Sequence, residues 1–362
     1  MEIFNYLAEH NHEEVVFWSD KTAGLRAIVA IHSTVLGPAL GGCRMWPYVS
    51  EEDALLDVLR LAEGMTYKAS LAGLDFGGGK AVIIGDPARD KSAGLWQAFG
   101  KFINSLHGRY ITGEDVGTTV VDMALVHQST PYVVGLPKTE HGSGDPSPVT
   151  AFGVYRGIRA CCRACFGLDD LRGRTVAVQG LGKVGAHLAR LLAQDGARLV
   201  ASELNAERAA KIALELGIKL VPPDDIYEVK CDVFAPCALG AVINDTTIGR
   251  LRCRIVAGAA NNQLADDQLG FELAERNILF APDYVINAGG IISIGSEVGA
   301  FDAQTAWHKT SAIYDSLLRI VALSREEGVP THLAAHRLAQ ARIELVKQEH
   351  AFFAGRPAIN PK

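Results

Sequence analysis

The chain has 362 residues, 48% of them hydrophobic and 21% charged, with a net charge of −6 and a pI near 6.0. That length exceeds one ordinary core and predicts two domains, and the acidic balance argues against nucleic acid as the main partner. No uninterrupted apolar run approaches the ~20 residues of a membrane helix, so no membrane partner is expected.

The start, MEIFNYLAEHNHEE, has neither the basic nor the apolar region of a secretion signal. The first predicted element is an apolar strand, LRAIVAIHS (25–33), followed by a glycine-rich turn, GPALGGCRM (37–45). A helix comes next. Ser50 is its N-cap, Glu51, Glu52 and Asp53 load its first turn with negative charge, and Ala54, Leu55, Val58, Leu59, Leu61 and Ala62 form its apolar stripe. It runs toward EGMTYKAS, so Lys68 falls near its end. GLDFGGGKAV (73–82) then places Lys80 behind three glycines. Spacing excludes a nucleotide phosphate loop, because G-x-x-x-x-G-K-[ST] needs glycine where Leu74 stands and a hydroxyl where Ala81 stands. Two readings stay open: a turn bearing a solvated lysine, or a lysine whose bare backbone lets a ligand come close. RYITGEDVGTT (109–119) reads as a strand ending in a turn at Gly113, with Glu114 and Asp115 at its carboxyl end.

GSGDPSPVTAFGV (142–154) is a linker-like run leading into a helix, and the domain switch is expected near it. In that helix CCRAC (Cys161, Cys162, Cys165) holds one C-x-x-C without a second ligand pair, which reads as small apolar filler. The seven cysteines, an odd number, predict a reduced, cytoplasmic chain. Short apolar strands follow (TVAVQG, ARLVAS, KLVP, CDVFAP, RIVAGAA, ILFAP), the first of them separated by helical patterns, and such alternation means a parallel doubly wound sheet. Gly180, Gly182 and Gly185 stand in G-x-G-x-x-G register after a strand and at a helix start, and a second strand ends in Glu203. Together these features describe a dinucleotide-binding turn: the helix N-terminus takes the pyrophosphate and the acid takes the ribose. Leu181, Lys183 and Val184 within the turn, and Leu204 beside the acid, belong to the same surface. Glu203 would repel a 2′-phosphate, which favours NAD over NADP, although Arg208 lies near enough to soften that preference. The tail, 304–350, is largely helical.

A dinucleotide domain needs a partner carrying chemistry, and Lys68, Lys80 and Asp115 are the candidates. Two lysines near one cleft repel each other, and burial adds to this, lowering a lysine pKa toward that of a working base. At this point GPALGGCRM, GMTYKASLAGLDFGGGKAVIIGDP, RYITGEDVGTT, GDPSPVTAFGVYRG, VFAPCALGAVIND, AGAANNQL and APDYVINAGG together resemble the glutamate/leucine/phenylalanine/valine dehydrogenase superfamily, its leucine and phenylalanine branches most. The resemblance covers nearly the whole chain. It implies an α/β protein of two domains: an N-terminal substrate-binding, catalytic and oligomerisation domain (1–135) and a Rossmann-type NAD-binding domain (136–330). A C-terminal helical segment (331–362) returns to the first domain, and the chain forms a homo-oligomer, an octamer or smaller. The implied reaction is reversible oxidative deamination of an L-amino acid to its 2-oxo acid and ammonia, with NAD⁺ as hydride acceptor.

By the same resemblance, Lys68 binds the substrate α-carboxylate, Lys80 activates water, and Asp115 trades protons with the amino group. Gly41 and Gly42 line the substrate through their backbone, and the glycines before Lys80 leave room for amino acid and nicotinamide. Thr150 and Asn261 lie near the nicotinamide and Arg44 contacts the cofactor phosphates. Cys237 and Ala238, with Ala259, Ala260 and Asn261, mark strand ends under the nicotinamide ribose. Leu40 stands where glutamate-specific relatives carry lysine, so an apolar substrate is expected, since an unpaired carboxylate against leucine would cost several kcal/mol. Gly113 and Ile291 replace the alanine and valine usual in leucine-type enzymes, and Ile294 completes that wall. Leucine and phenylalanine both remain open as preferred substrates. A non-catalytic NAD-binding scaffold would be marked by loss of a lysine or of Asp115, and all three residues are present. No carboxylate cluster suggests a metal.

Overall fold

The computed structural model describes residues 2–137, 143–298 and 302–354. Gly142, which opens the linker-like run, and residues 355–362 of the expected C-terminal segment lie outside the described residues. The chain divides into two compact units, one of Met1–Gly144, Ile294–Ala300 and Ala339–Lys362, the other of Asp145–Ser293 and Phe301–Leu338.

The first unit runs α1 (Ile3–Glu9), β1 (Glu14–Asp20), β2 (Leu25–Ser33), β3 (Ala39–Leu40), β4 (Cys43–Trp46), α2 (Glu51–Leu71), β5 (Gly77–Ile84), α3 (Ala93–Ser105), β6 (Tyr110–Ile111) and α4 (Val120–His127). The sheet order is β1-β2-β5-β3-β6, with β4 also pairing β5. β2 lies antiparallel to β5, whereas β3 and β4 run parallel to its other edge. Period-two alternation divides the strand residues between two cores. Ile28, Ala30 and Val82 pack with Ala54, Leu55, Val58 and Leu59 of α2. Ala27, Val29, Ile31, Ala81 and Ile83 pack with Trp96, Phe99 and Phe102 of α3. α2 starts where expected, with the Ser50 hydroxyl accepting the Asp53 N–H at 3.0 Å. At its other end, Arg342 of the last helix donates to the carbonyls of Ser70, in the last turn, and Leu74, just beyond it, each at 2.9 Å.

Of the two readings left open for 73–82, the turn is confined to the start of the stretch, and from Gly77 the chain forms the central strand β5, buried through Ile83. Local propensity opposes a triple glycine in a strand, and crowding overrides it. A Cβ on Gly77 would fall 1.9 Å from the Ser33 carbonyl oxygen, on Gly78 2.1 Å from the Thr66 nitrogen, and on Gly79 2.8 Å from the Tyr110 ring. The glycines therefore admit neighbours from their own unit, not a ligand. GPALGGCRM likewise holds two short strands, β3 and β4, broken at Gly41–Gly42.

The second unit runs α5 (Ser147–Phe166), β7 (Thr175–Gln179), α6 (Lys183–Gln194), β8 (Arg198–Ser202), α7 (Ala206–Leu216), β9 (Lys219–Leu220), β10 (Val233–Pro236), β11 (Ile255–Val256), α8 (Gln268–Glu275) and β12 (Leu279–Phe280). Then come α9 (Asp283–Ile286), α10 (Gly289–Gly295), α11 (Ala303–Ser311), α12 (Ile313–Glu327) and α13 (Thr331–Ala354), the last continuing into the first unit from Ala339. The sheet order β12-β11-β10-β7-β8-β9 is parallel throughout, with its reversal point at β7 and β10, the doubly wound arrangement expected. No described helix is long and apolar enough to cross a membrane.

Two glycines give opposite expectations. Gly78→Ala should lower stability by about 3 kcal/mol or more, because the new methyl meets backbone. Gly64→Ala, inside α2 with open space at its Cβ position, should raise it by about 0.5–1 kcal/mol. Denaturant midpoints of the two variants check both, and a Gly78→Ala midpoint equal to the parent's would contradict the crowding argument.

Candidate active site

Lys80 lies in the middle of β5, paired with Ala30 of β2, and is only 5% exposed. It shares the α2-facing side of the strand with Val82. A buried amine needs a counter-charge, and Asp115 supplies it, with Oδ2 3.2 Å from Lys80 Nζ. A parallel bridge between Cys43 and Glu114 brings the turn after β6 alongside β4. The Thr118 hydroxyl ties that turn down, accepting the Asp115 N–H at 2.8 Å while lying 3.0 Å from the Cys43 carbonyl oxygen. Burial would raise the Asp115 pKa, but the charges of Lys80 and then Arg44 outweigh it and hold the carboxyl below its usual range. Lys80 and Asp115 are thus an acid–base pair within proton-transfer distance.

Arg44 does not lie free for a cofactor phosphate. Its Nε donates to Asp115 Oδ2 at 3.0 Å and its Nη1 to Asp57 Oδ2 at 3.0 Å. The Tyr48 hydroxyl donates to the same Asp57 oxygen at 2.5 Å. Asp57 and Tyr48 were not singled out from sequence. Their signal was the alternation in CRMW, which sends Cys43 and Met45 to the α3 core and leaves Arg44 facing α2.

The other expected substrate residues of this unit are set by packing. Lys68 is half-buried in the last turn of α2, and Leu40 is fully buried in β3. Gly41 donates its N–H to the Ile111 carbonyl and accepts the Tyr110 hydroxyl at 2.6 Å. A Cβ at Gly41 would lie 1.8 Å from the Gly79 carbonyl oxygen, and one at Gly42 2.4 Å from that of Glu114. At Gly113 a Cβ would meet Val134 Cγ2 at 3.2 Å, so Val134 is the side chain behind that position. Ile294 is half-buried on α10, and Ile291, one turn earlier and within the second unit, is 5% exposed.

In the second unit β7 ends at the glycine turn. Gly180 has φ +93°, a left-handed conformation that favours glycine. A Cβ on Gly185 would fall 2.1 Å from the Gly180 carbonyl oxygen, whereas one on Gly182 would meet nothing within 4 Å. The turn is therefore tight where helix and strand pack and open where a pyrophosphate would approach, at the start of α6, so the residues fit a dinucleotide. Around it Lys183 is exposed, Val184 half-buried and Leu181 buried, and Leu204 is 84% exposed. Glu203 accepts the Leu181 N–H at 2.8 Å on Oε2 and the Asn205 N–H at 2.9 Å on Oε1, which leaves each oxygen a further lone pair for a ribose hydroxyl. Burial would raise its pKa, but those N–H groups and Arg208, 3.6 Å away, hold it down.

The ends of β10 and β11 gather beside this turn. Gly180 faces Ala238 and Gly185 faces the Cys237 side chain, while Ala260 donates its N–H to the Pro236 carbonyl at 2.9 Å. Burial pushes the Cys237 thiol up to about 12, so it stays neutral. Thr150, in the first turn of α5, donates to the Pro146 carbonyl at 3.0 Å. Asn287, another residue not singled out, is 5% exposed and donates its amide to Asn261 Oδ1 at 2.6 Å and to the Ala259 carbonyl at 3.1 Å. Asn287 thereby orients the loop that carries both. Among the described residues, no group of three or more His, Cys, Asp or Glu side chains is placed to hold a metal ion.

A Rossmann-type unit joined to a unit with a buried Lys–Asp pair defines the class: an α/β dehydrogenase. The family model of the Glu/Leu/Phe/Val dehydrogenase dimerisation domain matches residues 12–132, and that of Glutamate/Leucine/Phenylalanine/Valine dehydrogenase matches 142–207 and 204–343. The chain belongs to this family and is an amino acid dehydrogenase. It is 51% identical to a leucine dehydrogenase of Thermoactinomyces intermedius, over 98% of this chain and 96% of that one. It is 48% identical to a phenylalanine dehydrogenase of Caldalkalibacillus thermarum, over 97% and 96%. The crystal structure of L-tryptophan dehydrogenase from Nostoc punctiforme superimposes with a TM-score of 0.85 at 45% identity, covering 95% of this chain and 99% of that one. Enzymes of this family are generally NAD(P)-dependent.

Proposed function

We propose that the chain is an NAD-dependent dehydrogenase of apolar L-amino acids, branched aliphatic ones foremost, that also accepts phenylalanine. The buried Lys80–Asp115 pair carries the reading. NAD⁺ would supply the hydride acceptor, with the turn at Gly182 and the start of α6 holding its pyrophosphate and Glu203 its ribose. Lys68 holds the substrate carboxylate. Asp115 takes a proton from the substrate ammonium so that the amine lone pair can assist loss of hydride from Cα. Lys80, ion-paired with Asp115 at rest, acts after losing its own proton to solvent: water adds to the resulting iminium carbon and gives its proton to the neutral Lys80 Nζ. Lys80 passes that proton to solvent and, as the carbinolamine collapses, takes the hydroxyl proton while Asp115 returns one to the departing nitrogen, leaving a 2-oxo acid and ammonia. The match to a dimerisation-domain model supports a homo-oligomer. The seven unpaired cysteines support a reducing, cytoplasmic setting.

The primary test is NADH formation across leucine, valine, isoleucine, methionine, phenylalanine, tryptophan and glutamate, in the parent and in Lys80→Ala. Leucine-class activity is expected in the parent, with a loss of about 10³-fold or more in the variant and little change in calorimetric NAD⁺ affinity. A variant that fails to bind NAD⁺ would mean Lys80 has been given the wrong task.

Glu203 should discriminate against a 2′-phosphate, and Arg208, drawn toward it, does not offer that phosphate an unopposed charge. NAD⁺ should therefore exceed NADP⁺ in kcat/KM by a wide margin, which Glu203→Ser should narrow. Equal use of both cofactors by the parent would refute the assignment.

Gly113 sets breadth of specificity. A methyl there presses on Val134, and a methylene-sized change in an apolar pocket is worth about 1–3 kcal/mol. Gly113→Ala should depress kcat/KM for phenylalanine more than for leucine, and an unchanged ratio of the two would remove Gly113 from the specificity argument.

A further inference from the structure

Lys80 and Asp115 do not stand alone. Arg44 meets the same oxygen, Asp115 Oδ2, that faces Lys80, while its other arm is tied to Asp57. The four groups are two cations and two anions, all at most 29% exposed at the side chain. A planar guanidinium presents Nε and Nη1 in fixed relation, so fastening one to Asp57 fixes the direction of the other. We propose that Arg44 is a positioning residue for the reaction: braced by Asp57 and Tyr48, it aims the Asp115 carboxylate at Lys80 and keeps it in the proton-accepting form. The proposal rests on the Lys80–Asp115 reading of the active site and assigns Arg44 to that pair in place of the cofactor phosphates.

The groups facing Asp115 can be named element by element. β5 contributes Lys80, and β4 contributes Arg44 and the Cys43 thiol. β6 contributes the Tyr110 hydroxyl. Behind Arg44 stand Asp57 of α2 and Tyr48, and beyond Cys43 lie Asp122 and Lys91, paired with each other at 2.5 Å. Burial raises Cys43 and Tyr110 well above their ordinary values, so both stay neutral. The charge on Asp115 is therefore governed by Lys80 and by Arg44, and Arg44 in turn by Asp57.

This gives a test in which two substitutions act in opposite directions. The protonation that silences the Lys80–Asp115 pair sets the acid limb of kcat/KM against pH. Arg44→Gln removes a cation from Asp115, so the limb should move to higher pH by about one unit, with kcat at neutral pH reduced about tenfold. Arg44→Lys should recover part of both. Asp57→Asn keeps an oxygen to accept from Arg44 Nη1 and so keeps the brace, but removes a negative charge behind Arg44, so the limb should move to lower pH. KM for NAD⁺ should stay within about threefold throughout, since no phosphate contact is lost. A large rise in KM for NAD⁺ in Arg44→Lys with an unmoved acid limb would overturn the proposal, assigning Arg44 to the cofactor. Shifts of one sign in Arg44→Lys and Asp57→Asn, or no shift in either, would also overturn it. If Arg44→Gln does not fold, the other two variants decide. An Asp115→Asn enzyme with full activity would instead remove the active-site reading beneath.

Discussion

The structure of the first unit turns on one constraint: a lysine amine is carried in the middle of a central, buried strand. Losing the partner of a buried ion typically costs about 3–5 kcal/mol, so the counter-ion must be delivered by whatever runs beside that strand. β2 occupies one edge of β5, and the β3–β4 pair occupies the other. The carboxylate therefore comes from the turn after β6, which the Cys43–Glu114 bridge lays beside β4. The glycines follow from the same requirement. Gly41 and Gly42 let the chain step from β3 to β4 against the backbone of Gly79 and Glu114, and Gly77 to Gly79 let α2, β2 and the Tyr110 ring close on β5.

That crowding gives the three charged groups rigid supports. Lys80 projects from a strand whose two edges are both paired, Asp115 from a turn held by Thr118, and Arg44 from a strand residue whose neighbours Cys43 and Met45 are core. A proton exchanged between Lys80 and Asp115 needs little reorganisation, because the surrounding dipoles and charges are already fixed. The second unit uses a different economy. Its cofactor turn relies on backbone alone, open at Gly182 and closed at Gly185, so its chemistry is almost independent of side-chain identity.

This contrast explains what the sequence disclosed. The parallel sheet and its glycine turn were legible because a βαβ unit is local: strand, turn, helix and the acid at Glu203 fall within one short stretch. Ser50 and its three acids announced α2 for the same reason. The triple glycine misled because strand formation there depends on neighbours far along the chain, Ser33, Thr66 and Tyr110. No spacing in the sequence announces that the Asp115 carboxylate stands directly beside Lys80. Asp57 could not be told from the solvated acids of a helix surface, since its partner Arg44 lies on a separate strand. The fold was therefore largely readable, whereas the partners of the charged residues were not.

Substrate choice sits at the far end of this scale. Relatives named for leucine, phenylalanine and tryptophan share nearly the same fraction of this sequence, because overall identity measures the scaffold, which all of them need. Discrimination among apolar side chains rests on a few contacts, each worth about 1–3 kcal/mol. Gly113 illustrates why they hide from a sequence reading. Its missing methyl would not point into open space but toward Val134, at 3.2 Å. The glycine thus leaves a neighbouring valine room to shift, and packing of that kind separates similar apolar groups only by degree. An ion would fare differently, since no packing adjustment around the buried Leu40 supplies a charge to pair with a side-chain carboxylate. Apolar packing is therefore permissive among hydrocarbons and strict against a carboxylate.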